Sequence, residues 1–236
     1  MIEVSNISKF YGSVEVIKNI SFSLDKGVIL GLLGPNGAGK TTIMRMLCGY
    51  HFPCSGDIRV NGFSLEENII GLKNSIGYLP ETPILYMDMT PMEYLMFIAE
   101  TRHIHTNEKI NAINRVLKIC GLENRKNTRI ETLSRGLKQR VGLAQLLIHD
   151  PPVLILDEPF SGLDPNQIME MRNLIKKLKN KTIIFSTHIL QEVESLCTKY
   201  LIINKGYIIA QGNMQQETSV KDIEEIFLQL KGNNND

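Results

Sequence analysis

Two kinds of apolar pattern run along the chain. Val28-Ile29-Leu30-Gly31-Leu32-Leu33 is a continuous apolar run, as a strand buried on both faces requires. Val153–Leu156, Thr182–Phe185 and Leu201–Ile203 are further runs of strand length. With helical stretches between them, they predict an α/β core with a mainly parallel sheet. Ile2–Val4 and Ile20–Leu24 instead alternate apolar and polar positions, which predicts half-buried antiparallel strands near the N-terminus. Lys205-Gly206, between Leu201–Ile203 and Tyr207–Ala210, predicts a hairpin turn.

Strand patterns stop between about Thr82 and Asp150. Thr90-Pro91-Met92-Glu93 has the form of a helix-capping box with proline at the first helical position. Tyr94, Leu95, Phe97 and Ile98 follow at helical spacing. A second helix is predicted over about Asn107 to Ile119, stopping at Gly121. The expected organisation is one domain over 1–236, with a core of 1–81 and 151–236 and a helical insertion at about 82–150. Near the end, Ser219 is placed to cap a helix carrying Ile223, Ile226, Phe227 and Leu230, before a polar tail, Lys231–Asp236.

Composition narrows the possibilities. Hydrophobic residues make up 43% and charged residues 22% of the 236, an ordinary globular balance. The 26 basic and 25 acidic side chains leave a net charge of +1, so no bulk field draws the chain to nucleic acid, and no such partner is expected. Cys48, Cys54, Cys120 and Cys197 form no CxxC pair and are read as free or buried thiols of a reducing compartment. The N-terminus lacks the charge-then-apolar pattern of a signal peptide. No apolar run approaches the ~20 residues needed to cross a bilayer, so any membrane role is expected to come through a partner.

The chemistry begins where the Val28–Leu33 run ends. Gly34-Pro35-Asn36-Gly37-Ala38-Gly39-Lys40-Thr41 fits GxxxxGK[ST] between a predicted strand and helix. Glycines let backbone N–H groups turn toward phosphates, and the following helix adds its positive end. Lys40 is expected to reach the β- and γ-phosphates and the Thr41 hydroxyl to ligate Mg²⁺. Val153–Leu156 runs into Asp157-Glu158. Asp157 is placed to hold Mg²⁺ through water. Glu158 is placed either to polarise an attacking water or to cap the turn before Pro159.

Leu133-Ser134-Arg135-Gly136-Leu137-Lys138-Gln139-Arg140 has the form LSxGxxQR and lies just before the Asp157-Glu158 strand. With the phosphate loop and the paired carboxylates in that order, nearly the whole chain resembles a nucleotide-binding domain of an ATP-binding cassette (ABC) transporter. The fold this implies is a P-loop NTPase core with a mainly parallel sheet, an N-terminal antiparallel β subdomain and an inserted α-helical subdomain. The resemblance implies that Tyr11 stacks on adenine, with Val16 a further candidate to pack on the base, and that Thr42 extends the phosphate loop. Glu81 stands where the family usually has glutamine, and with Thr41 and Asp157 it is implied as a Mg²⁺ ligand. Ser134, Arg135 and Gly136 are implied to contact the nucleotide of a second copy. Asp164 is implied in communication across the dimer, Glu158 as catalytic base, and His188 as a switch that contacts the γ-phosphate. Alone, Tyr11 also reads as a half-buried surface aromatic, His188 as a surface histidine, and Asp164 as a helix N-cap.

Three positions depart from the family pattern. Glu81 adds a negative charge, Arg135 replaces the usual glycine, and Leu137 replaces a common glutamine. Arg135 could contact a phosphate or the partner subunit, or point to solvent. Glu81 and the Arg135/Leu137 variant resemble the exporter-type branch. The resemblance therefore implies an ATPase that powers a membrane transporter by ATP-driven dimer closure. Its cofactors would be ATP and Mg²⁺, and its partners a second ATP-binding subunit and a separate transmembrane permease. It would sit peripherally on the cytoplasmic side of the membrane. Pro83, Ile84, Leu85, Tyr86, Met87 and Met89 either dock that permease or pack the insertion's own core. The alternative function is a soluble ABC-type ATPase with an assembly or regulatory role.

Overall fold

The computed structural model describes residues 1–178, 180–214, 223 and 225. These fall into two compact units. The first holds Met1–Ile76, Pro152–Glu158 and the described residues of Lys179–Asp236; the second holds Gly77–Pro151 and Pro159–Leu178.

The first unit contains an antiparallel sheet built from β1 (Ile2–Tyr11), β2 (Val14–Leu24), β4 (Ser55–Val60) and β5 (Phe63–Ser64), in the order β2-β1-β4-β5. Its first two strands run much further than the short alternating segments in the sequence suggest. The reason lies at Asn6, which adopts φ 51 and breaks the β1 register between Val4 and Ile7. That bulge interrupts the period-two pattern, so the strand continues where its alternation does not. Asn6 N–H donates to Ser21 Oγ at 2.7 Å, which holds the bulge against β2.

The second sheet of this unit contains β3 (Ile29–Leu33), β7 (Val153–Leu156), β8 (Thr182–Thr187), β9 (Lys199–Asn204) and β10 (Tyr207–Asn213). Their order is β10-β9-β3-β8-β7. β3 pairs in parallel with β8 and β9, and β7 with β8, while β9 and β10 form the antiparallel hairpin expected around Lys205-Gly206. Every residue of β3, β7 and β8 is buried, as the unbroken apolar runs require. The helices α1 (Lys40–Leu47), α2 (Ile69–Asn74) and α7 (Leu190–Leu196) accompany these sheets. α1 buries Ile43, Met44, Met46 and Leu47. The strand β6 (Ile76–Leu79) begins at the last residue of this segment of the unit.

The second unit is helical from residue 80 onward, with α3 (Pro91–Thr101), α4 (Thr106–Ile119), α5 (Arg135–Leu147) and α6 (Pro165–Lys177). The capping box forms as the sequence predicts. Thr90 Oγ1 accepts from Glu93 N, and the Glu93 carboxylate accepts from Thr90 N at 2.8 Å. The Thr90 N–H and, with it, the Thr90 hydroxyl, donating at 3.0 Å, hold the Glu93 carboxyl below its ordinary pKa. α4 is capped by Cys120, with Gly121 at φ 64, again at the predicted stop. Tyr94 is the largest side chain sealed into this unit. Its hydroxyl lies 2.7 Å from Gln145 Oε1 and 3.0 Å from Ile84 O, tying α3 to α5 and to the segment before α3.

Of the helix expected after Ser219, Ile223 is buried and helical and Glu225 is helical; Ser219, Ile226, Phe227, Leu230 and the tail lie outside the described residues. Among the described residues no helix is long and apolar enough to cross a membrane.

Candidate functional site

In the first unit, the loop Gly34–Gly39 joins β3 to α1 and places Lys40 and Thr41 on the first helical turn. Gly39 adopts φ 109, and a Cβ there would stand 2.6 Å from Ile17 Cδ1, so both conformation and space demand glycine. Asn36 and Gly37 are exposed, Pro35 is half-buried, and Ala38 packs inside. Thr42 is half-buried on α1 beside Thr41. The loop is braced from behind by the β9–β10 turn. Gly206 N–H donates to Ala38 O at 3.1 Å, and Gly206 O accepts from Lys18 N at 2.9 Å. Val16 O lies 2.3 Å from where a Gly206 Cβ would be, so Val16 meets this region through its backbone.

Lys40 is 6% exposed, and its Nζ donates to Gly34 O at 2.7 Å and Pro35 O at 3.1 Å. The same Nζ is 3.5 Å from Glu158 Oε1. The other Glu158 oxygen, Oε2, is 3.0 Å from His188 Nδ1. Lys40, Glu158 and His188 thus form one linked chain across the ends of α1, β7 and β8. Glu158 sits at φ 44, a region that costs a non-glycine residue about 1–3 kcal/mol and that marks functional turns.

Asp157 is buried beside them. Its Oδ1 accepts from Ser186 Oγ at 2.6 Å and from Thr41 Oγ1 at 3.3 Å. Ser186 Oγ in turn accepts from Glu158 N at 2.9 Å, so one hydroxyl orients both acids. Ser186 stood in the sequence only as the residue two before His188. Its place follows from the parallel register, in which Leu156 pairs with Phe185. Burial pushes the nearby Cys48 thiol well above its ordinary pKa, and the Asp157 charge adds to that effect. Oxygen donors from Thr41 and Asp157 suit a small hard cation that keeps water and phosphate ligands, as Mg²⁺ does.

Tyr11 ends β1 and remains 44% exposed. Its ring is 5.9 Å from that of His51, edge-on at 84°.

In the second unit, Ser134 caps α5, its Oγ accepting from Leu137 N at 3.3 Å. Arg135 is exposed at the start of α5. Its guanidinium lies over Gly162, where an added Cβ would come within 2.2 Å of Cζ. Gly136 is buried against the Gln167 side chain. Asp164 caps α6, accepting from Gln167 N at 2.9 Å, as its N-cap reading predicts. Glu81 is exposed, and its Oε1 accepts from Ser161 Oγ at 3.2 Å. Leu137 is half-buried in the first turn of α5.

The family model described as "ABC transporter" matches residues 17–161. The bacitracin transport ATP-binding protein BcrA of Enterococcus faecalis is 36% identical over 219 residues, spanning 92% of this chain and 70% of that protein. The linearmycin resistance ATP-binding protein LnrL of Bacillus subtilis is 39% identical over 214 residues, spanning 90% of this chain and 69% of that one. Among solved structures, cbiO1 from Clostridium perfringens, described as part of the ABC transporter complex cbiONQ, superposes with a TM-score of 0.86 at 29% identity, covering 98% of this chain and 95% of that one. The chain belongs to the ABC transporter family, as an ATP-binding subunit with ATPase activity.

Proposed function

We propose that this subunit powers an exporter by closing on a second copy around ATP. The observation that carries the catalytic part is the chain Lys40–Glu158–His188 beside the buried Asp157–Ser186 pair. Lys40, now engaged with Glu158 and two carbonyls, exchanges these partners for the β- and γ-phosphates. The N–H groups of the loop from Asn36 to Thr42 cradle the phosphates, and Tyr11 supports the adenine. Thr41 and Asp157 would hold Mg²⁺, and the ion would supply charge neutralisation at the phosphates. Glu158, its carboxylate aimed by the left-handed turn, accepts a proton from the attacking water. His188, bonded to that carboxylate, positions the base and contacts the γ-phosphate.

The signature segment completes the site in trans. Ser134 and Gly136, at the positive N-terminus of α5, are suited to grip an anionic phosphate of a partner's nucleotide. Arg135, laid over Gly162, links that segment to the Ser161–Asp164 loop, so movement of one is felt by the other. Two linked segments meeting a second copy give Asp164 its communicating role. Loss of the γ-phosphate removes the ligand shared by both copies, and the dimer opens.

The Glu158→Gln variant tests this assignment. Turnover is expected to fall by at least ~100-fold, the scale of general-base catalysis. ATP binding persists, and a dimer accumulates in ATP on size-exclusion chromatography with light scattering. Unchanged turnover would remove Glu158 as base.

Export rests on two supports. Glu81 and Arg135/Leu137 resemble the exporter-type branch, and the similar LnrL carries "resistance" in its name. The membrane subunit is a separate chain, and the surface offered to it includes Ile84, Tyr86, Met87 and Phe97, all exposed in the second unit. These large apolar groups, set among the half-buried Pro83, Leu85 and Met89, suit an apolar helix of a permease. In this reading the subunit works at the cytoplasmic face of the membrane.

A further inference from the structure

Tyr11 does not stand alone at the end of β1. His51 meets its ring edge-on at 5.9 Å, and the Lys9 ammonium lies 5.7 Å from the ring centroid. Both neighbours are themselves anchored to the segment that follows α1. Lys9 Nζ donates to Phe52 O at 2.6 Å, and Cys54 N–H donates to Ser8 O at 2.7 Å. Tyr50 N–H and His51 N–H donate to Arg45 O, in the last turn of α1, at 2.9 and 3.4 Å. α1 is the helix whose first residue is Lys40. A continuous path therefore runs from the phosphate-binding helix through His51 to the tyrosine.

We propose that His51 is a positioning residue for the nucleobase: it fixes the Tyr11 ring in register with the phosphate loop before nucleotide arrives. This rests on the reading of Tyr11 as the base platform. An exposed tyrosine beside a two-residue turn loses rotamer freedom when a base stacks on it, and that loss weakens binding. A ring already held by an aromatic neighbour and a cation has less freedom left to lose. The gain applies only to ligands that carry a base, because phosphate contacts do not involve Tyr11. Nothing in the phosphate-loop pattern points to His51; the ring geometry alone does.

Equilibrium affinities of the purified protein for ADP and for ribose 5-diphosphate, which lacks the base, separate the two contributions. Their ratio measures what the base adds. His51→Ala is expected to shrink that ratio roughly 2- to 10-fold, the worth of one aromatic pair, with ribose 5-diphosphate affinity unchanged. His51→Phe restores the ratio. An unchanged ratio in His51→Ala, or equal weakening of both ligands, overturns the proposal. Tyr11→Ala distinguishes the two levels. If Tyr11→Ala leaves the ratio intact, the platform reading itself fails. If Tyr11→Ala lowers the ratio and His51→Ala does not, only the role of His51 fails.

Discussion

Ser186 shows how much a single side chain settles here. Its hydroxyl donates to Asp157 and accepts from Glu158 N, so both acids of the site take their orientation from one fully buried oxygen. Ser186→Ala leaves the Glu158 N–H without that partner, at a cost of about 1–3 kcal/mol in urea unfolding. Turnover is expected to drop roughly 10- to 100-fold, as for other groups that orient reacting ligands. ADP affinity is expected to change less, because Lys40 and the loop amides remain. Equal losses in turnover and ADP affinity would mean that Ser186 supports the fold and not the acids. Residues such as Gly34–Thr41, Asp157 and Glu158 were legible in the sequence because their chemistry is contiguous. Ser186 and the seat of Arg135 on Gly162 were not, since each contact joins segments distant in the chain.

Elements were legible where one physical rule governs them. The buried strands β3 and β7 read directly as apolar runs, and α3 announced itself through its capping box. The full length of β1 did not, because the Asn6 bulge shifts which side chains face inward. The β9–β10 hairpin was predicted as a turn, yet its second job emerges only from packing. Gly206 at φ 84 buttresses the phosphate loop through Ala38 O and lies against Val16 O. A methyl group there meets that oxygen at 2.3 Å and must displace backbone. Gly206→Ala is expected to destabilise the protein by about 1–3 kcal/mol and to weaken ATP and ribose 5-triphosphate alike. Selective loss of the base contribution would contradict this role, and direct titration of both ligands checks it.

For the whole molecule, the apolar segment before α3 is read in two ways, as partner docking or as self-packing. Tyr94 and Leu95 fill the helical unit, while Ile84, Tyr86, Met87 and Phe97 stay exposed, with Tyr86 and Phe97 stacked edge-on at 5.4 Å. Ile84→Asp and Phe97→Asp are expected to abolish co-purification with a membrane subunit while circular dichroism stays that of the unaltered protein. Retained co-purification would place the docking surface elsewhere. The sequence signalled this surface only as an unusually apolar loop, because burial depends on how α3 packs.

In the proposed mechanism each chain carries half of a hydrolytic site, with Ser134 and Gly136 serving the nucleotide of another copy. ATP turnover per chain, measured over a wide range of protein concentration with molecular mass followed in the same samples, tests it most directly. Turnover per chain is expected to track the dimer fraction and to disappear as the protein becomes monomeric. Full turnover in samples that remain monomeric with ATP bound would contradict it.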